Sequence, residues 1–175
     1  MPGTIVQKAY DFLYRNLSVI NGKWEYDILK ECYEVYGRYD YRGKIVLDIG
    51  ADFGLSPKFF VDHGAKQVIA YSPMRQKRQF KDPRIIWVRE YWQGRISQED
   101  YADFLKIDCE GCEYQKPVDF YIHHYDEALI AIHDLKNKEF HEYFSTLWER
   151  GAKLVYHTGN EYMFYWRRKG LFDEL

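Results

Sequence analysis

The chain has 175 residues, of which 46% are hydrophobic and 30% charged, the size and composition of one compact globular domain. Its net charge of −2 gives no reason to expect nucleic-acid binding through a basic face. No apolar run approaches the roughly 20 residues of a membrane span, and the N-terminus lacks the basic-then-apolar order of a signal peptide. Three cysteines are too few for a secreted disulfide framework, so we expect a cytoplasmic protein.

Two helices are predicted before residue 44. Apolar residues recur three and four positions apart over residues 5–17, and again over residues 24–36. Residues 18–22 fit a turn between the two helices, and Gly37 fits a C-terminal cap on the second one.

The pattern changes after residue 43. Short apolar runs that are typical of buried strands alternate with helical or loop segments, which predicts a parallel α/β sheet. Helices are predicted at residues 55–63 and 140–150, and strands at residues 44–49, 67–71, 84–88, 102–107 and 128–132.

The last two predicted strands, residues 153–156 and 162–167, are joined differently. Only residues 157–161 separate them, with Thr158-Gly159-Asn160 at the centre. Such a connection is too short for a helical crossover, so we expect an antiparallel hairpin. This hairpin distinguishes the sheet from a simple nicotinamide-binding domain, whose strands are all parallel.

A glycine-containing loop, Asp48-Ile49-Gly50-Ala51-Asp52-Phe53-Gly54, leads from the first strand into a helix. Ligands of open α/β sheets bind outside the carboxyl ends of the strands, where glycines allow close approach and a helix N-terminus offers N–H groups. The spacing differs from the dinucleotide pattern G-x-G-x-x-G, and the lysine of a P-loop is absent. We therefore expect a ligand-binding loop, with a tight turn that binds nothing as the alternative.

The fourth strand ends in Asp103-Phe104-Leu105-Lys106-Ile107-Asp108-Cys109-Glu110-Gly111-Cys112-Glu113, which places three acids at the carboxyl edge of the sheet. The alternative for these acids is a solvated loop. Cys109 and Cys112 form one CxxC pair, and without a second pair it is weak evidence for zinc. We expect ordinary side-chain packing for the two cysteines and predict no metal site, with a metal or redox role as the alternative.

His133 and Asp134 end the fifth strand, across the expected cleft from Asp108. Either side chain could act as a general base or help to hold a metal, and capping of the following loop is the alternative. The second strand ends at Ser72, a position where Rossmann-like cofactor domains carry an acid that binds the ribose hydroxyls.

Two of these segments together resemble the FkbM-like methyltransferases. The glycine loop with its strand, V-L-D-I-G-A-D-F-G, and the fourth-strand segment agree in order and spacing with that family over roughly residues 43–134. The resemblance implies a Rossmann-like class I methyltransferase fold, with a mostly parallel sheet, a C-terminal antiparallel hairpin and two preceding helices. We expect a single domain with a core of residues 44–175. Since 175 residues leave little room for a separate substrate domain, residues 1–43 are expected to form a helical lid.

The resemblance also implies the reaction and its residues. S-adenosylmethionine would donate a methyl group, most often to a hydroxyl of a small or sugar-like acceptor. From the short length of the chain, and not from the resemblance, we expect that a partner subunit in a homo-oligomer could complete the cleft. The implied catalytic residues are Asp108, Glu110 and Asp134, with Glu110 and Glu113 at the rim. The implied cofactor-binding residues are Asp48, Gly50, Ala51, Asp52, Gly54, Ser72 and Asp108.

Ser72 departs from the family pattern. Loss of a charged hydrogen bond to the ribose would weaken cofactor binding by about 1.5–3 kcal/mol. A catalytically silent methyltransferase-like fold that acts as a binding module is therefore the alternative function.

Overall fold

A computed structural model describes residues 23–95, 101–136 and 138–169. The chain divides into two compact units, residues 1–40 and 41–175. The first predicted helix, residues 5–17, and the turn at 18–22 lie outside the described residues. In the first unit, helix α1 (Lys23–Glu34) corresponds to the second predicted helix. Gly37 does not cap this helix as predicted, because it lies within a 3-10 turn at Tyr36–Arg38.

The second unit is built on a seven-stranded sheet with the order β3-β2-β1-β4-β5-β7-β6. The first five strands pair in parallel, and β7 pairs antiparallel with both β5 and β6. This mixed sheet confirms the predicted fold class. The strands are β1 (Ile45–Ile49), β2 (Gln67–Tyr71), β3 (Ile85–Val88), β4 (Phe104–Ile107), β5 (Glu127–His133), β6 (Lys153–Thr158) and β7 (Glu161–Arg167).

Within the described part of the second unit, three α-helices connect the strands: α2 (Leu55–Asp62), α3 (Val118–His124) and α4 (Lys138–Glu149). The sequence predicts α2 and α4 but not α3, because a seven-residue helix is too short for its apolar stripe to repeat. Every residue of β4 is buried, as expected of a parallel strand covered on both faces. No helix among residues 23–95, 101–136 and 138–169 is long and apolar enough to cross a membrane.

The predicted hairpin is present, and it folds so that β7 lies between β5 and β6. Gly159 takes a left-handed φ of 55° in the turn. The antiparallel register runs from Glu127 opposite Arg167 to His133 opposite Glu161. The beginning of β7 therefore lies at the carboxyl end of β5, beside the edge where the sequence predicts a site.

A continuous apolar core joins the sheet to helices α3 and α4, and Phe164 of β7 is fully buried in it. The Phe164 ring lies edge-on to Phe144 of α4, with centroids 5.2 Å apart. Other buried members of this core are Leu47, Leu105, Tyr121, Ile130, Phe140 and Leu147.

Truncation of Phe164 should therefore remove a large part of this core. We expect Phe164→Ala to lower the free energy of unfolding by about 3–5 kcal/mol in chemical denaturation. Leu154→Ala is the matched control, because Leu154 pairs with Phe164 across the hairpin but is 41% exposed. An equal loss in both variants would contradict this description of the core.

Candidate functional site

The predicted site residues meet at the carboxyl edge of the sheet. Strand β4 lies between β1 and β5, with Ile107 paired to Ile49 on one side and to Ile130 on the other. The loops that follow these three strands are therefore neighbours.

Gly50 brings the β1 loop into direct contact with the loop after β4. It takes a φ of +85°, and a Cβ placed on it would lie 1.7 Å from the carbonyl oxygen of Asp108. Gly54, with a φ of +111°, faces the side chains of Gln76 and Phe80, at 3.0 and 3.2 Å from its hypothetical Cβ. The sequence suggested that both glycines make room for a ligand, whereas the structure shows that they make room for the protein itself.

The amide groups at the start of the glycine loop are also used within the protein. The N–H groups of Gly50 and Ala51 both donate to the Tyr71 carbonyl oxygen, each at 3.0 Å. Ala51 is buried, so its methyl group faces the protein interior. These hydrogen bonds tie the loop to the end of β2.

A single buried ammonium group, that of Lys106, links the two loops. Lys106 is 2% exposed in the middle of β4, and its Nζ donates to the Gly50 carbonyl oxygen at 2.9 Å. Nζ also lies 3.2 Å from Asp48 Oδ1 and 3.8 Å from Asp108 Oδ2. Sequence reasoning assigned no role to Lys106, although a lysine in an otherwise apolar buried strand is itself a signal, since a buried charge requires partners.

Asp48 is fully buried, so it supports the loop and does not face a ligand. The Ser56 hydroxyl donates to Asp48 Oδ2 at 2.6 Å, and Oδ1 faces the Lys106 ammonium without a hydrogen bond of good geometry. Burial raises the pKa of the Asp48 carboxyl, against the opposing effects of Lys106 and Ser56. The structure therefore does not support the predicted direct contact between Asp48 and the cofactor. The Asp48 carboxylate instead pairs with Lys106, which in turn donates to the backbone of the glycine loop.

Ser72 is buried and occupied within the protein. Its hydroxyl donates to the Asp52 carbonyl oxygen at 2.6 Å and accepts from the Met74 N–H at 3.1 Å. Because its one O–H group is already donated, the structure does not support the predicted contact from Ser72 to a ribose. Ser72 instead holds the glycine loop against the end of β2.

Asp52, at the tip of the glycine loop, is a half-buried acid with a left-handed φ of 48°. Burial raises the pKa of its carboxyl to about 7, with Lys106 lowering it and Asp108, Asp48 and Glu110 raising it further. The pKa of Asp52 therefore depends on the charges of the groups near this edge of the sheet.

A buried histidine lies between several carboxylates. His133 Nδ1 donates to Glu113 Oε1 at 2.8 Å, and Nε2 lies 3.6 Å from Asp108 Oδ1 and 3.7 Å from Glu110 Oε1. Burial opposes the charged imidazolium, but the hydrogen bond to Glu113 and the charge of Asp108 prevail and raise the pKa of His133 to about 9. His133 is therefore a cation at neutral pH, unsuited to the role of general base.

Glu113 is fully buried, and the expectation that it lies at the rim is wrong. Its Oε2 accepts from the Gly111 N–H at 2.7 Å, and its Oε1 accepts from both the backbone N–H and Nδ1 of His133. Through these hydrogen bonds the buried Glu113 carboxylate fixes the loop that follows β4 against His133. Glu110, by contrast, has a side chain that is 78% exposed and lies at the surface.

Asp134 caps the loop that follows β5. Its Oδ1 accepts from the Lys136 N–H at 2.9 Å, and its own N–H donates to the Asn160 carbonyl oxygen at 2.7 Å. These contacts favour the capping alternative over the predicted role as a base.

The hairpin supplies a carboxylate that sequence reasoning missed. Glu161 begins β7 opposite His133, and one of its carboxylate oxygens lies within 4.8 Å of one of Asp108. Burial and the charge of Asp108 raise the pKa of Glu161 to about 7, although His133 and Lys106 act in the other direction. A predicted hairpin does not by itself indicate that β7 pairs with β5, so no local pattern marks Glu161 as a site residue.

Cys109 and Cys112 form a disulfide, with Cα atoms 5.5 Å apart. The bond closes a small loop that contains Glu110 and Gly111, whose φ angles of 56° and 120° are both left-handed. The pair is therefore covalently linked and not merely packed side by side.

Comparison with known proteins identifies relatives among viral proteins. Uncharacterized protein 65 of Sulfolobus islandicus filamentous virus (isolate Iceland/Hveragerdi) is 32% identical over 116 residues, which cover 62% of this chain and 71% of that protein. The chain belongs to the family of this viral protein. Another member, uncharacterized protein 158B of Sulfolobus islandicus rod-shaped virus 1, is 33% identical over 113 residues, 60% of this chain and 70% of that protein. No family model matches the chain, so its membership of the FkbM-like group stays a prediction.

Solved structures share the fold of this family at low sequence identity. The ribosomal protein L11 methylase of Lactobacillus delbrueckii subsp. bulgaricus superposes with a TM-score of 0.59 and 12% identity, covering 82% of this chain and 80% of that one. The 1,6-didemethyltoxoflavin-N1-methyltransferase of Burkholderia thailandensis, crystallised with S-adenosylhomocysteine, gives 0.53 and 15%, covering 95% and 88%. These likenesses confirm the class I methyltransferase fold.

The contact of Gly50 with the Asp108 backbone can be tested against a glycine with similar backbone but free space. Gly43 has a φ of +74° and nothing within 4 Å of its hypothetical Cβ. We expect Gly43→Ala to lose about 1–2 kcal/mol of stability from backbone conformation alone, and Gly50→Ala to lose more, measured by urea denaturation. Equal losses would mean that the two loops do not cross in contact.

The ion pairs of Lys106 predict a second stability difference. Lys106→Met leaves Asp48 buried without its counter-ion, so we expect a loss of about 3–5 kcal/mol in the free energy of unfolding. The double variant Asp48→Asn/Lys106→Met should recover a large part of that loss. Lys58→Met, which breaks a surface pair with Asp62, should change stability by less than about 1 kcal/mol. No recovery in the double variant would argue against charge pairing as the cause.

Proposed function

We propose that this protein is an S-adenosylmethionine-dependent methyltransferase whose cofactor binds at the carboxyl edge of β1 and β4. The observation that supports this most directly is that, at this edge, positive side chains are buried and negative side chains face the solvent. The cations Lys106 and His133 are buried, whereas Asp108 and Glu110 have side chains that are 22% and 78% exposed. A ligand at this edge therefore meets carboxylates.

These carboxylates fit S-adenosylmethionine, whose sulfonium and ammonium groups are positive. When bound, the cofactor supplies an activated methyl group. Asp108 would face its methionine end, and Asp52 would take the ribose hydroxyls in place of Ser72. We choose Asp52 because the Ser72–Asp52 hydrogen bond holds it beside the end of β2, where the ribose-binding acid of Rossmann-like domains is found.

The residues of the chain would then align the acceptor and receive its proton. Alignment of reacting groups supplies much of the rate enhancement in such displacements, and Glu110 at the rim is placed to orient an acceptor. A base works best with a pKa near the working pH. Glu161, with a pKa raised to about 7, suits this role better than the cationic His133 or the loop-capping Asp134.

The acceptor class follows from the same charges. An acidic edge disfavours phosphate-bearing and nucleic-acid acceptors, so we propose a small neutral acceptor with a hydroxyl group, as the resemblance to FkbM-like enzymes implies. The lid role of residues 1–43, a homo-oligomer and a cytoplasmic location stay predictions.

A second candidate function is a binding module without catalysis. Two observations favour it: Gly50 packs against the Asp108 backbone, and the Ser72 hydroxyl is used internally. In sequence both positions match those of a cofactor site, but in the structure both residues make contacts within the protein.

Calorimetric titration with S-adenosylmethionine and S-adenosylhomocysteine separates the two functions. We expect micromolar binding of the wild-type protein, and a roughly 10- to 100-fold weaker affinity for S-adenosylmethionine in Asp108→Asn, since a charged contact contributes about 1.5–3 kcal/mol. Asp119→Asn, which breaks an exposed pair with Arg150, is the control that should bind normally. A folded protein that binds neither compound at millimolar concentration would establish the binding module as the better hypothesis.

A further inference from the structure

The Cys109–Cys112 disulfide lies inside the segment that carries the acids of the site. It follows Asp108 directly, and Glu110 stands within the loop that it closes. Both cysteines are half-buried, so a small thiol reagent can reach them. The proposed methyl transfer gives this bond no task.

One buried carboxylate connects the disulfide loop to His133. Glu113 Oε2 accepts from the Gly111 N–H at 2.7 Å and lies 3.5 Å from Cys109 Sγ. The other oxygen, Oε1, accepts from His133 Nδ1 at 2.8 Å. A change at Cys109 therefore reaches His133 through a single side chain.

We propose that Cys109 and Cys112 form a redox site that exchanges with dithiols, and that Glu113 transmits its oxidation state to His133. A thiolate of the dithiol attacks one sulfur of the bond and forms a mixed disulfide, which the second thiol of the reagent then resolves. The reagent gives two electrons and two protons, leaves as a disulfide, and Cys109 and Cys112 become thiols.

Reduction changes the hydrogen bonding of Glu113. In the disulfide, Cys109 has no hydrogen to donate, and its Sγ lies 3.5 Å from Glu113 Oε2. Reduction would give Cys109 an S–H group close to this oxygen. The thiol would share this oxygen with the Gly111 N–H. A carboxylate that accepts a further hydrogen bond is less able to stabilise the imidazolium of His133.

Reduction also frees the loop. Glu110 holds a left-handed φ of 56°, which is unfavourable for a residue with a side chain. Once the bond is open, the loop can relax and move the Glu110 carboxylate away from His133 Nε2, now 3.7 Å from it. The first change weakens the hydrogen bond from His133 to Glu113, and the second moves a negative charge away from His133. Both make the imidazolium less stable, so the pKa of His133 should fall on reduction.

The first measurement establishes the bond. In a Cys32→Ala background, which leaves Cys109 and Cys112 as the only cysteines, the protein is denatured and alkylated with iodoacetamide before and after treatment with dithiothreitol. We expect no label before reduction and two labels after it by intact mass. Two labels without reductant would overturn the proposal.

The second measurement follows the imidazole of His133 by NMR in the oxidised and the dithiothreitol-reduced protein, with His133→Gln to assign its resonance. The charged groups that face it are Glu113, Asp108, Glu110 and Glu161. We expect the titration midpoint to fall on reduction, and an unchanged midpoint would overturn the coupling.

The control is Cys109→Ser/Cys112→Ser, in which dithiothreitol should have no effect on the His133 resonance. If this variant does not fold, the comparison of oxidised and reduced protein still decides the question. Neither measurement uses S-adenosylmethionine, so a failure of the redox site is distinguishable from a failure of the proposed methyl transfer.

Discussion

The arrangement of the site depends on one buried ammonium group. Lys106 lies in a strand whose other residues are apolar, and a charge there is tolerated only when oppositely charged and polar groups surround it. Asp48 and the Gly50 carbonyl provide those groups from the β1 loop, and Asp108 from the end of β4. The requirement to stabilise Lys106 thus holds two loops in contact, and the absence of a side chain at Gly50 allows them to come so close.

The second buried cation, His133 at the end of β5, is likewise stabilised by carboxylates that surround it. Its imidazolium donates to the buried Glu113, and the more exposed carboxylates of Asp108 and Glu110 lie near its other nitrogen. Asp108 therefore lies between two internal cations, and its position is set by both. The carboxyl edge of the sheet is acidic toward solvent because its neutralising charges are inside, an arrangement suited to a positively charged ligand.

The sequence predicts the strands and the hairpin well, because apolar runs, loop lengths and glycine positions report burial and chain reversal directly. It places Asp108 and the glycine loop at the correct edge for the same reason. It does not reveal that Glu113 points inward or that the Ser72 hydroxyl is used by Asp52, since such choices depend on partners distant in the chain. Glu161 was missed because its neighbours belong to β4 and β5, and no local pattern records that proximity.

The turn between β6 and β7 has a consequence for how this family can vary. Side chains alternate between the two faces of a sheet, so a slip of one residue in the pairing of β7 would turn Glu161 away from Asp108. The pairing of His133 with Glu161 is set next to the Gly159 turn. Insertions or deletions there would change the surroundings of Asp108 as surely as a substitution beside it. The length of this surface turn should therefore be constrained among relatives that keep the pairing of His133 with Glu161.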